Sequence, residues 1–314
     1  MRGKIALQIV LFALSVSDPT TVFSQKRAAT TPKPAVASGR SIVVATEPKA
    51  AVWIGEIRRG TTDEKGQLKI DRVPAGTHKI RVRAVGFVEK TQTLLPTQKG
   101  EIKIPLVKTT DEAEIAFQQA EALRESGTAE GREKAIELYK KALQLRPKFA
   151  EARVGWARII EKSDPDAALE QIAEARKARP VYAEASTVEG RIYREGLDLD
   201  NAVKSFKRAI REANNFQPEA HTGLALAYKD QGNNTAAIAE FKIAIAQLGD
   251  SEPVVYQLLG EAYEQAGRKK EAIAAYEKFL QLAPTSNLAT AVRSIIEQLK
   301  NQQNQGDTLE LMPQ

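Results

Sequence analysis

A pattern of large and small apolar residues returns about every 34 residues through the last two-thirds of the chain. Its clearest copy runs through Pro253, Tyr256, Leu259, Gly260 and Tyr263, then Ala272, Tyr276 and Pro284. A unit of that length holds a pair of helices and cannot bury its apolar face alone. The copies must therefore stack into a solenoid, each presenting a surface rather than enclosing a cleft. Partner binding is the first function such an architecture suggests.

The spacing has a physical reason. Tyr256, Leu259 and Tyr263 lie three or four apart, on one face of a first helix, and Gly260 lets a second helix approach closely. Ala272 is the close-contact position of that second helix. Tyr276, one turn on, fills the gap between neighbouring hairpins, and Pro284 ends the unit. Four more copies share the register. One carries Leu224, Tyr228, Ala237, Phe241 and a late Pro253; another carries Gly190, Tyr193, Ala202, Phe206 and a late Pro218. A third has Trp156, Ala157, Ala168, Ile172 and Pro180. The first has Ala120 and Leu123, a three-residue insertion, then Ala135, Tyr139 and Pro147. These residues resemble the tetratricopeptide repeat over 109–303, with Asn287–Gln303 as a capping helix and 304–314 as a flexible tail.

Arg2 and Lys4 precede an apolar run from Ile5 to Val16, and small residues follow at Ser17 and Ser24. That is the layout of a secretory signal over residues 1–24, with cleavage after Ser24 or Ser17; an uncleaved anchor or a buried helix is the other reading. The run of about twelve residues is short for a bilayer span. Residues 25–40, rich in Pro, Ala, Thr and basic side chains, read as a linker. The chain has no cysteine, hence no disulfide, thiolate metal site or cysteine nucleophile.

Residues 41–108 are of another kind. Short β-branched runs are expected at 41–46, 51–54, 67–70, 78–85, 89–95 and 101–107, separated by Pro48, Gly55, Gly60, Gly66, Gly76, Gly86 and Gly100. From Lys79 to Val85 apolar and basic residues alternate, which puts one face of a strand in a core and the other in water. The expected fold is thus multidomain: a small all-β sandwich followed by an all-α superhelical solenoid. The segment resembles the PEGA domain of bacterial surface and envelope proteins. The residues that carry the likeness are Pro48–Gly55, Gly60-Thr61-Thr62, Val73–Val82, Gly86-Phe87 and Ile102–Leu106. Lys49, Ala50 and Asp63 depart from its turns, so no functional residue transfers. The resemblance implies a non-enzymatic module.

Charge divides the chain. Residues 41–108 hold thirteen basic and seven acidic residues, a net +6, whereas 109–314 hold 27 basic and 32 acidic, a net −5. The basic half suits an anionic partner such as an envelope polymer or a membrane surface, through Lys79, Arg81 and Arg83, unless these merely solvate an exposed sheet face. Nucleic acid is not expected, because export and the lack of aromatic platforms argue against it.

No catalytic pattern is present: no phosphate loop, HExxH or GxSxG, and no cofactor is expected. His78 falls at a strand start and His221 at a packing position in a first helix. Asp111-Glu112 and Asp198/Asp200 look like helix N-termini. Transferring the register of the repeat family places Arg158, Arg191, Arg194 and Lys229 on the inner face of the solenoid. That strip suits an extended acidic segment of a protein partner, unless neighbouring glutamates already satisfy it. The leading expectation is an exported scaffold or adaptor, in the periplasm or at the cell surface. The alternative is a wall- or glycan-binding protein whose repeats are a spacer. Oligomeric state is left open.

Overall fold

The computed structural model describes residues 40–55, 57–73 and 76–310. The expected export signal and linker fall outside the described residues, apart from Arg40, which opens the first strand.

Seven strands precede the helices: β1 (Arg40–Ala45), β2 (Ala51–Ile54), β3 (Ile57–Thr61), β4 (Gln67–Val73), β5 (His78–Arg83), β6 (Lys90–Leu94) and β7 (Gly100–Lys103). They form two sheets, of order β4-β1-β7 and β3-β2-β5-β6. All pairings are antiparallel except β1 with β7. Both sheets feed one apolar cluster, with Ile42, Val44 and Ile70 from the first and Val52, Ile54, Ile80 and Val82 from the second. The alternation read from Lys79 to Val85 holds within β5, which ends at Arg83: Ile80 and Val82 are fully buried, and Lys79, Arg81 and Arg83 point the other way, while Val85 beyond the strand is exposed. Thr62 locks a turn between the sheets. Its hydroxyl accepts from Ala50 N at 2.8 Å and donates to the Glu47 carbonyl at 2.7 Å. Asp63 closes the next turn by accepting from the amides of Lys65 and Gln67.

β3 was not expected. Two arginines and Gly60 hide its apolar character, and a bulge between Val52 and Trp53 breaks the alternation of its partner strand.

The helices are α1 (Glu112–Glu125), α2 (Ala129–Leu145), α3 (Ala150–Ile160), α4 (Pro165–Ala178), α5 (Ala183–Glu195), α6 (Leu199–Glu212), α7 (Pro218–Asp230), α8 (Asn234–Leu248), α9 (Val254–Gln265), α10 (Lys269–Leu282) and α11 (Ala289–Glu310). They pair into five hairpins capped by α11. Side chains set the starts: Asp111, Thr128, Asp164, Asp198 and Asn233 each accept a hydrogen bond from a first-turn amide. Asp111 and Asp198 are thus helix caps, with Glu112 and Asp200 in the first turns.

Aromatic residues of second helices sit against glycines of first helices. A Cβ at Gly190 would stand 2.7 Å from the Phe206 ring, and one at Gly260 would stand 2.5 Å from Tyr276. Tyr139, Phe206, Phe241 and Tyr276 are all fully buried. At the far end α11 runs on to Glu310, so residues 304–310, read as tail, continue the helix. No breaker interrupts them except Gly306, which a helix tolerates at modest cost.

Successive first helices touch one another, α1 with α3, α3 with α5 and α5 with α7, more than any two second helices do. The first helices therefore line the inner side of the curve.

Candidate functional site: a charged chamber between sheet and solenoid

The inner side is not open along its whole length. The outer face of the β3-β2-β5-β6 sheet lies over it, anchored at both ends. At one end Gln118 of α1, almost wholly buried, accepts from Gly86 N at 2.9 Å and donates to the Phe87 carbonyl at 2.7 Å. Arg83 reaches Glu121 at 3.5 Å and stacks 4.8 Å above the Phe117 ring, while Arg58 pairs with Glu125 at 2.8 Å. At the other end Gly55 meets Phe216, whose ring also approaches His78 at 6.1 Å between centroids, and Ile57 joins the apolar cluster of the C-terminal repeats.

Gly55 shows why a glycine is needed here. Its φ is +61°, and a Cβ would lie 2.7 Å from Phe216.

Between the anchors is a chamber of about 660 Å³. Its sheet wall carries Arg58, Lys79, Arg81 and Arg83 with one carboxylate, Glu89, beside Trp53. Arg81 lies 4.5 Å over that indole ring. The solenoid wall carries six glutamates (Glu121, Glu125, Glu151, Glu184, Glu212, Glu219) against Arg124, Arg158 and Arg179. A basic wall thus faces an acidic one.

Glu121 is a strongly perturbed carboxylate in the chamber. Burial alone would push it up, but Arg124, Arg83 and the Tyr139 hydroxyl, which donates to it, hold it down at about 2. Arg83 is likewise caught between burial, which would lower it, and Glu89 with Glu121, which raise it.

The residues singled out from sequence are redistributed. Lys79, Arg81, Arg83 and Arg158, read as two separate patches, line this single chamber. The face expected in water is instead turned toward the solenoid, where the Arg83 side chain keeps only 11% of its surface exposed. Arg191, Arg194 and Lys229 lie beyond the chamber on the same inner side. They are not bare cations. Arg158 pairs with Glu184 at 3.1 Å and Glu219 at 3.4 Å, and Arg191 with Glu161 at 2.9 Å and with Glu219. Arg194 pairs with Asp230 at 2.7 Å, and Lys229 with Glu261 at 2.6 Å. Each bond links one repeat to another, so the strip is an ion ladder rather than a basic track.

His221 is 5% exposed and its Nδ1 lies 2.6 Å from Glu240, a packing site between paired helices. Sequence reasoning missed Gln118 and the extent of the acidic wall; its signals were the glutamates expected beside the cationic strip and the opposite net charge of the two halves, +6 against −5. Among the described residues no group of three or more His, Asp or Glu is placed to hold a metal ion, and no helix is long and apolar enough to cross a membrane.

The family model of the tetratricopeptide repeat matches residues 160–218, 187–253 and 222–287. The hairpins from α4 to α10 thus match the tetratricopeptide repeat. No curated protein matches the chain. Among solved structures, PilW, a widely conserved type IV pilus biogenesis factor, is similar at 18% identity, covering 62% of this chain and 93% of its own, with a TM-score of 0.52. PilF of Pseudomonas aeruginosa is similar at 17% identity, over 61% and 90%, with a TM-score of 0.50. A thermophilic TPR protein of Thermus thermophilus is 25% identical over 60% and 98%, with a TM-score of 0.49. At these identities PilW and PilF show a shared repeat fold.

Proposed function

We propose that this protein is a non-enzymatic interaction scaffold of the bacterial cell envelope. Its N-terminal apolar segment directs export, its strand region is PEGA-like, and its tetratricopeptide repeats hold a protein partner along the inner face. The observation that carries this reading is the ladder from Arg158 to Lys229. Stacked first helices bring four cations and five carboxylates of successive repeats onto one side, where Arg191 and Arg194 each keep 28% of the side chain exposed. A partner on this face exchanges existing ion pairs instead of meeting bare charge. Recognition then depends on geometry, above all on bidentate contacts to the guanidinium groups, more than on net attraction.

The repeat fold shared with PilW and PilF supports a scaffold, and the role of PilW as a type IV pilus biogenesis factor is in keeping with an envelope setting. The alternative, a strand region that reads an anionic envelope polymer, has less support. Its three basic residues Lys79, Arg81 and Arg83 face the chamber.

The test is quantitative capture from native envelope extract, with the chain lacking residues 1–24 as bait. Arg191→Gln with Arg194→Gln is expected to weaken saturable capture at least about tenfold, with helix content retained and only a modest drop in melting temperature, since these pairs are partly solvated. Capture that survives both substitutions rules out the ladder as the binding face.

A further inference from the structure

We infer that the stretch of the inner face between α1 and α7 is an acidic docking surface for a basic protein segment, and that the strand region is its built-in competitor. This goes beyond the reading above, which concerns the ladder on the same side; the two share Arg158, Glu184 and Glu219.

Three observations lead there. The first is the sign of the two chamber walls. On the solenoid side six glutamates face three lining arginines, with Arg176 and Arg191 just outside pairing with Glu212 and Glu219, so the wall stays acidic by a small margin; on the sheet side four cations outnumber one glutamate. Left uncovered, the solenoid wall attracts positive charge; covered, it is matched by the sheet. The halves carry net charges of −5 and +6, so the same complementarity holds at long range.

The second is how the sheet is seated. Contact is made at two ends, around Gln118 and around Phe216, and the middle is a chamber of about 660 Å³ lined by paired charges. A dry apolar interface of that extent would weld the halves together. A hydrated, charged centre holds less firmly than that, and what it contributes is weakened by salt, so the covered form can open.

The third is that the sheet presents its cations as a regular strand. Lys79, Arg81 and Arg83 alternate with buried Ile80 and Val82 along β5, offering a row of charges at two-residue spacing. An extended segment with the same alternation satisfies the same wall. A basic partner, and not an acidic one, is what this part of the groove fits.

Opening must precede binding, so the apparent affinity of a basic segment falls with the fraction of open molecules. Gln118 is the lever. Gln118→Ala leaves net charge unchanged and lies outside both apolar clusters of the strand region and the C-terminal repeats. In the covered form alone it strands Gly86 N–H and the Phe87 carbonyl without their partner, so it favours opening.

The experiment uses a synthetic peptide copying residues 77–85 (THKIRVRAV) and a version with glutamate at its three Lys and Arg positions. Fluorescence anisotropy compares their binding to the full chain and to its Gln118→Ala variant, with circular dichroism confirming equal helix content. The basic peptide is expected to bind the variant at least about tenfold more tightly than the parent, and the acidic version neither. Arg58→Gln, which removes the pair with Glu125, is expected to act in the same direction and serves if Gln118→Ala loses helix content. Equal binding of the basic peptide to parent and opened variant, or equal binding of the two peptides, overturns the inference.

Discussion

Glu121 joins the two parts of the molecule through one side chain. On α1 it accepts from the hydroxyl of Tyr139 and from Arg124 at 3.0 Å, and it meets Arg83 of the sheet at 3.5 Å. Its pKa of about 2 lies below that of an unfolded glutamate, so its stabilisation is fully present above about pH 4.5 and is lost as pH falls through 2. The depression corresponds to on the order of 3 kcal/mol at neutral pH. Glu121→Gln is therefore expected to lower unfolding free energy by that order at pH 7. In urea titrations the gap between the two proteins should shrink by roughly half at pH 3. A gap that stays constant with pH assigns the loss to packing instead. The sequence alone marks no role for Glu121, since Tyr139 and Arg83 are distant in the chain. The alternation around it in space was legible, however: Ile80 and Val82 read as core and Arg81 and Arg83 as the opposite face. What the pattern did not contain was that another part of the chain lies beyond that face.

At the scale of elements, most helices rest on a local rule. A capping side chain or a proline starts most of them, and a glycine facing an aromatic ring sets how close two may come. That is why the helical hairpins were readable and β3 was not: Ile57–Thr61 has too few apolar positions to show a period. The glycine rule has a test whose sign opposes helix propensity. Alanine is the better helix former by about 1 kcal/mol, yet Gly260→Ala puts a methyl group 2.5 Å from the Tyr276 ring. The substitution is expected to destabilise by about 1–3 kcal/mol, seen as a lower midpoint in thermal unfolding. An unchanged or raised midpoint would show that Tyr276 moves aside freely. A last helix, α11, follows the hairpins, and its length was not legible because the residues after Leu299 carry no apolar period.

Across the whole molecule, the repeat gave the curve and the charge division gave the relation between its parts. The basic half, read as suiting an outside anionic partner, instead faces the acidic half of the same chain. The basic sheet lies on the acidic inner face of the first helices, and the ion ladder of Arg191, Arg194 and Lys229 continues beyond its edge. Attraction of this kind is screened by salt: the Debye length falls from about 10 Å at 0.1 M to about 3 Å at 1 M. The absence of cysteine makes a direct test simple. Spin labels on Glu64→Cys in the β3–β4 turn and Lys270→Cys in α10, both exposed, report the distance between sheet and solenoid by double electron–electron resonance. A covered groove held by charge predicts one narrow distance distribution at low salt and a second, longer population in about 1 M sodium chloride, with helix content unchanged. A distribution already broad at low salt, or one that does not respond to 1 M salt, contradicts it.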